Sequence, residues 1–117
     1  MLETEFKKLN FSILGKNTSL EGDFKFEGDT LINGSLKGTI TMVDQSKIIF
    51  ERDSHVTAQL YCHDVEVFGS FSGSINASGT LIVRSSAVLS GKIKASKLSI
   101  YPGAKVNMEG ETQADQL

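Results

Sequence analysis

The chain has 117 residues, of which 39% are apolar and 22% charged, with a net charge of -2, and this composition suits one globular domain and excludes disorder throughout. A single cysteine, Cys62, excludes an intrachain disulfide and points to a reducing compartment. No apolar run reaches the ~20 residues of a membrane helix, Met1 to Asn10 lacks the basic start and apolar stretch of a secretory leader, and 11 glycines without a Gly-X-Y period exclude collagen.

Residues 1–10 read as a flexible tail, with Met1, Leu2, Phe6 and Leu9 spaced for one face of a short helix. Repetition begins at Phe11, Ile13 and Leu14, which open a first rung. The pattern apolar-x-small-x-apolar then recurs at Leu20-Gly22-Phe24, Leu36-Gly38-Ile40, Val56-Ala58-Leu60, Phe71-Gly73-Ile75 and Leu89-Gly91-Ile93. A sixth copy, Val106-Met108-Gly110, breaks it. Two residues further on, Phe26, Met42, Cys62, Ala77 and Ala95 extend the alternation to about seven positions, the period of a strand with one buried face. The intervening positions are mostly polar and read as solvated, for example Thr39 and Thr41, Ser72 and Ser74, or Lys92 and Lys94.

A second strand column precedes the first at Ile48-x-Phe50, Val65-x-Val67, Leu81-x-Val83 and Leu98-x-Ile100, with Glu66 and Ser99 at outward positions. Short links such as Asn33-Gly34-Ser35 and Phe68-Gly69-Ser70 alternate with longer ones such as Glu51 to His55. The segment from Ile48 to Val56, shifted by 33 residues, overlies Leu81 to Leu89 without a gap, and a further shift of 17 reaches Leu98 to Val106. A period near 17 is too long for one strand and too short for a repeat that contains a helix. Spacings of 16, 20, 15, 18 and 17 at the small residue are less regular than hexapeptide left-handed coils. These features predict an all-β, single-domain, right-handed parallel β-helix of about six rungs with a triangular section over 11–112, followed by a flexible tail over 113–117. One rung alone buries too few side chains to offset the entropy of ordering it, so neighbours must stack.

No sequence cap is evident at either end of this stack. An uncovered rung offers backbone partners and apolar side chains to whatever can pair with them. The candidate contact residues are Phe11, Ile13 and Leu14 at one end and Leu98, Ile100, Val106 and Met108 at the other; Met108 stands where other rungs keep Gly or Ala. End-to-end association is the preferred reading, and a solvated or tail-covered end is the alternative.

Charge is unevenly spread: residues 9–66 carry nine acids and five bases, whereas 67–108 carry five bases and no acid. The basic half is too sparse and too poor in aromatics to read as a nucleic-acid site. Two histidines, His55 and His63, cannot supply the three converging ligands of a β-helix metalloenzyme. Cys62, in the inward column, reads as a buried thiol and not a nucleophile. No glycine-rich phosphate loop joins a strand to a helix, and no loop is long enough to frame an acyltransferase site. Neither an enzyme nor a cofactor is expected.

The run from Val65 to Ala77 (VEVFGSFSGSINA), with Leu81-Ile82-Val83 through Gly91-Lys92-Ile93-Lys94-Ala95, resembles the bactofilin family, as does Gly28-Asp29-Thr30-Leu31-Ile32-Asn33-Gly34-Ser35-Leu36-Lys37-Gly38. The similarity covers 11–112, in the phase of many weak positions and not in a catalytic signature. It implies a bacterial cytoskeletal protein that polymerises with itself through its two ends, without nucleotide, into cytoplasmic filaments on the inner face of the cytoplasmic membrane. It further implies a scaffold for cell-wall synthesis or remodelling proteins. In that family an apolar N-terminal stretch attaches filaments to lipid, which makes Met1, Leu2, Phe6 and Leu9 the membrane-binding candidates; a lid over the first rung is the other role open to them. The competing function is a capped monomer or dimer that holds a partner on its Ser/Thr/Lys face.

Overall fold

The computed structural model describes the backbone of residues 11–14 and 19–112 and the side chains of 19–107. The two tails, 1–10 and 113–117, lie outside the described residues. Every regular element described is a strand: β1 (Phe11–Leu14), β2 (Ser19–Phe26), β3 (Asp29–Ile32), β4 (Ser35–Met42), β5 (Lys47–Phe50), β6 (His55–Cys62), β7 (Asp64–Val67), β8 (Ser70–Val83), β9 (Val88–Ile100) and β10 (Lys105–Thr112). All ladders are parallel. Together they form a right-handed β-helix of about five turns.

The alternation of short and long strands builds two walls. The short wall stacks β1, β3, β5 and β7, then the later halves of β8 and β9; the long wall stacks β2, β4 and β6, then the earlier halves of β8 and β9, then β10. Register follows the apolar repeat: Leu20, Leu36, Val56, Phe71, Leu89 and Val106 form one column, and Ile48, Val65, Leu81 and Leu98 another. Inward residues of both walls meet in one core, with Phe50 of the short wall edge-to-face on Phe71 of the long wall at 5.4 Å between centroids. Each wall thus supplies the apolar surface that the other needs.

The small-residue column has a backbone cause. Gly22, Gly38, Gly73 and Gly91 hold φ between 129° and 142°, a region that L side chains rarely adopt. This backbone conformation recurs at one position of the long wall in four of its levels. It also brings neighbouring levels close: a Cβ at Gly38, Gly73 or Gly91 would stand 2.8, 3.0 or 2.7 Å from the carbonyl carbon of Gly22, Ala58 or Gly73 beneath it, and nearer still to the oxygen. Ala58 shares the column with its methyl buried.

Two features depart from the sequence reading. The short wall has a level at β3 that the apolar-x-apolar pattern passes over, because Thr30 fills the first inward slot; it is 2% exposed, and its Oγ1 donates to the Gly28 carbonyl at 3.0 Å. Glu66, at an outward position between Ile49 and Ile82 in the ladder, is only 5% exposed. It is covered by long basic side chains instead of water.

Candidate functional site

Among the described residues, four apolar side chains pack against the core while staying only partly buried, namely Leu20, Ile100, Ala104 and Val106. All four belong to the terminal levels. Leu20 continues a column whose next member, Leu36, is 2% exposed, while Val106 and Ala104 follow Leu89 and Ala87, each 1% exposed. Within the stack inward residues are covered from both sides; at the terminal levels Leu20, Ile100, Ala104 and Val106 are less completely covered, while Phe24 and Phe26 of β2 stay buried at 4% and 3% exposure. The column of Leu20 to Val106 is thus incompletely covered at both ends.

The strand order leads to the same surfaces. Among the described strands it starts at β1 and finishes at β2 on one side, and on the other β10 pairs β9 alone. Backbone donors and acceptors on a ladder's last strand are a template for another strand. Phe11, Ile13 and Leu14 are held by β1 at the first level, in register with Asp29, Leu31 and Ile32. Met108 lies in register with Gly91 at the last level. Leu98 differs from its neighbours: it is fully buried inside the chain, whereas Ile100 two residues later is half-buried. Met1, Leu2, Phe6 and Leu9 lie outside the described residues, and no helix among the described residues is long and apolar enough to cross a membrane.

An ionic clamp binds three successive levels of the short wall. Lys47 Nζ lies 3.0 Å from one Glu66 oxygen and Arg84 Nε donates to the other. The Arg84 guanidinium lies 4.6 Å from the Tyr101 ring centre and 5.6 Å from that of Phe68. Burial pushes the Glu66 carboxyl up, but hydrogen bonds and charge from Lys47 and Arg84 outweigh it, so its pKa falls below the ordinary carboxylate value. Sequence patterning missed this clamp because its residues are 18 or more apart; the signal available was an acid in a column of Leu31, Ile49 and Ile82.

The titratable groups singled out in the sequence do not converge. His63 Nδ1 is 2.9 Å from Ser78 Oγ, while His55 is exposed at the start of β6. Burial, with the charge of Asp64 second, pushes the Cys62 thiol up to about 12, opposite to what a nucleophile needs. No group of three or more His, Cys, Asp or Glu among the described residues is arranged to hold a metal ion. An open groove beside the link at 43–46 is lined by Val43, Asp44, Tyr61, His63 and Asn76; the Asp44 carboxylate accepts from the Gly28 and Ser46 amides, and His63 is paired with Ser78.

Comparison with known proteins bears on the whole coil. A family model described as "Bactofilin: Polymer-forming cytoskeletal" matches residues 12–112. Among curated proteins, bactofilin BacO of Myxococcus xanthus (strain DK1622) is 27% identical over 93 residues, which covers 80% of this chain and 72% of that protein. No solved structure matches significantly.

Proposed function

Since this chain belongs to the bactofilin family of polymer-forming cytoskeletal proteins, we propose that it polymerises end to end through the open terminal levels of its β-helix, without nucleotide. The observation that carries this reading is that, among the described residues, the apolar side chains that pack against the core yet stay only partly buried are Leu20 at one end and Ile100, Ala104 and Val106 at the other. Stacking a second coil on either end supplies the missing cover and extends the ladder, the same gains that hold neighbouring levels together inside the chain. Nothing in this contact calls for a bound phosphate, and assembly is set by concentration and salt. The family's structural character accords with a role as a scaffold and not an enzyme.

The filaments lie in the cytoplasm along the inner face of the membrane and hold cell-wall synthesis or remodelling proteins in place. Met1, Leu2, Phe6 and Leu9 serve as the lipid-facing side of the N-terminal segment. Electron microscopy and sedimentation of purified protein at physiological salt test the polymer reading. Filaments without added nucleotide support it; a sharp monomer or dimer boundary at high concentration rejects it in favour of a discrete binding module. Co-sedimentation with anionic liposomes tests the tail, since deletion of residues 1–10 should lower bound protein while filaments persist. Undiminished binding removes the lipid role.

A further inference from the structure

Where the long wall turns into the short wall, the links at 27–28, 43–46 and 63 stack in one corner of the coil. The link at 43–46 is the longest of the three, and it is braced from the level below: Val43 N donates to the Phe26 carbonyl at 3.0 Å, and Asp44 accepts from the Gly28 amide at 3.0 Å. Beside it opens a groove of about 420 Å³, lined by Val43 and Tyr61 together with the core residues Met42 and Cys62. Val43 and Tyr61 are 51% and 44% exposed, two of the three large apolar side chains so exposed among the described residues. Such residues scattered singly need no explanation. Two that line one braced groove, of the size that takes a small ligand or a few side chains, call for an occupant.

We propose that this groove takes the chain's own segment 1–10, with the Phe6 ring seated between Val43 and Tyr61. That segment joins the coil at the same corner, because Phe11 is in register with Asp29, the first residue of β3. The middle of the groove, at His63, is three strand spacings away, about 14 Å. Extended chain from Phe11 spans about 7 Å to Leu9 and about 17 Å to Phe6, so Phe6 reaches the groove and Leu9 does not. On the way Lys7 and Lys8 pass Glu27, Asp29 and Asp44, while Lys47 of the same corner is engaged by Glu66. Tyr61 gives an aromatic ring an offset or edge-on partner. Tethering holds the segment at an effective concentration on the order of millimolar, so a shallow groove suffices. Phe6 is also among the lipid-facing residues proposed above, and groove and bilayer therefore compete for it. This competition rests on the lipid reading; the docking does not.

Gln45→Cys puts a reporter thiol on the exposed rim of the groove, while the buried Cys62 stays silent toward a thiol-specific reagent. At a concentration where nothing sediments, adding Phe6→Ala should speed labelling of this reporter at least fivefold. Labelling of Thr57→Cys, exposed on β6 away from this groove, should not change. Equal rates with and without Phe6 overturn the docking and leave the lipid reading standing. A gain on deleting 113–117 but not on Phe6→Ala puts the other tail in the groove, and a rate that falls as protein concentration rises puts a second copy there; either overturns it too. For the competition, anionic vesicles should speed labelling of Gln45→Cys at least threefold. Tyr61→Ala, with its β dichroism retained, should raise co-sedimentation with those vesicles by a similar factor. Co-sedimentation unchanged by Tyr61→Ala overturns the competition alone, and a parent chain that binds no vesicles removes the lipid reading while the labelling result still decides the docking.

Discussion

Gly91→Ala probes the closest approach between levels. The new methyl would lie 2.7 Å from the Gly73 carbonyl carbon at a backbone φ of 129°. Holding an L residue in a positive-φ conformation costs about 1–2 kcal/mol, and forcing a backbone shift in a packed region adds about 1–3 kcal/mol. The expected loss is therefore about 2–5 kcal/mol, and at about 3–6 °C per kcal/mol for a chain of this size the melting temperature should fall by roughly 6–30 °C. Gly103→Ala separates the two contributions, since its methyl would come no nearer than 3.3 Å to its nearest neighbour, Ser85, and would mainly feel the backbone penalty. Circular dichroism melts are to be taken at a concentration where sedimentation shows no polymer, because assembly stabilises the fold by mass action. Equal melting temperatures for the two variants would refute the view that the glycine column exists to let levels approach.

Glu66→Ala should lower the melting temperature at neutral pH, and the gap from the parent should shrink as acid is added. Because the folded-state pKa of Glu66 is depressed, its contribution is present above the unfolded value of about 4.3 and is lost as pH falls through the lower folded value; a gap of constant size from pH 7 to pH 3 would contradict the clamp. Ile100→Lys should abolish sedimentation while the β dichroism persists, whereas Leu98→Lys, placing a charge at a fully buried site, should unfold the chain; equal behaviour of the pair would reject the difference in burial between them. Cys62, with its thiol raised to about 12, should resist a thiol-specific reagent at pH 8 until denaturant is added. Labelling at the rate of a free thiol would show that the column opens.

The repeat was legible in detail because each inward slot is filled by a residue type that the slot demands. The alignment of Leu20, Leu36, Val56, Phe71, Leu89 and Val106 is the ladder register itself, including the step from Gly91 to Met108. What escaped were polar residues in protected places. Thr30 hides a short-wall level because its hydroxyl is satisfied by the Gly28 carbonyl, two residues away, so burial leaves no apolar signature. Glu66 reads as a solvated outward acid, but the basic residues that cover it come from other levels, which patterning along the chain does not bring together. The small column was visible as small, yet the reason for it is a three-dimensional clash between levels. At the ends, burial of Leu98 and partial exposure of Ile100 separate two residues that alternation alone treats alike.

Each tier of the coil is one contiguous stretch of sequence whose register partners are its immediate predecessors and successors. Duplicating or deleting such a stretch in the gene would leave the remaining tiers with partners of the same kind, and the altered chain would still present a glycine-kinked first strand and a terminal tenth-strand equivalent. Subunit length can thus be adjusted during evolution in increments of about five ångströms, independently of the contacts that join subunits, much as a mason changes the height of a course without recutting the bedding faces.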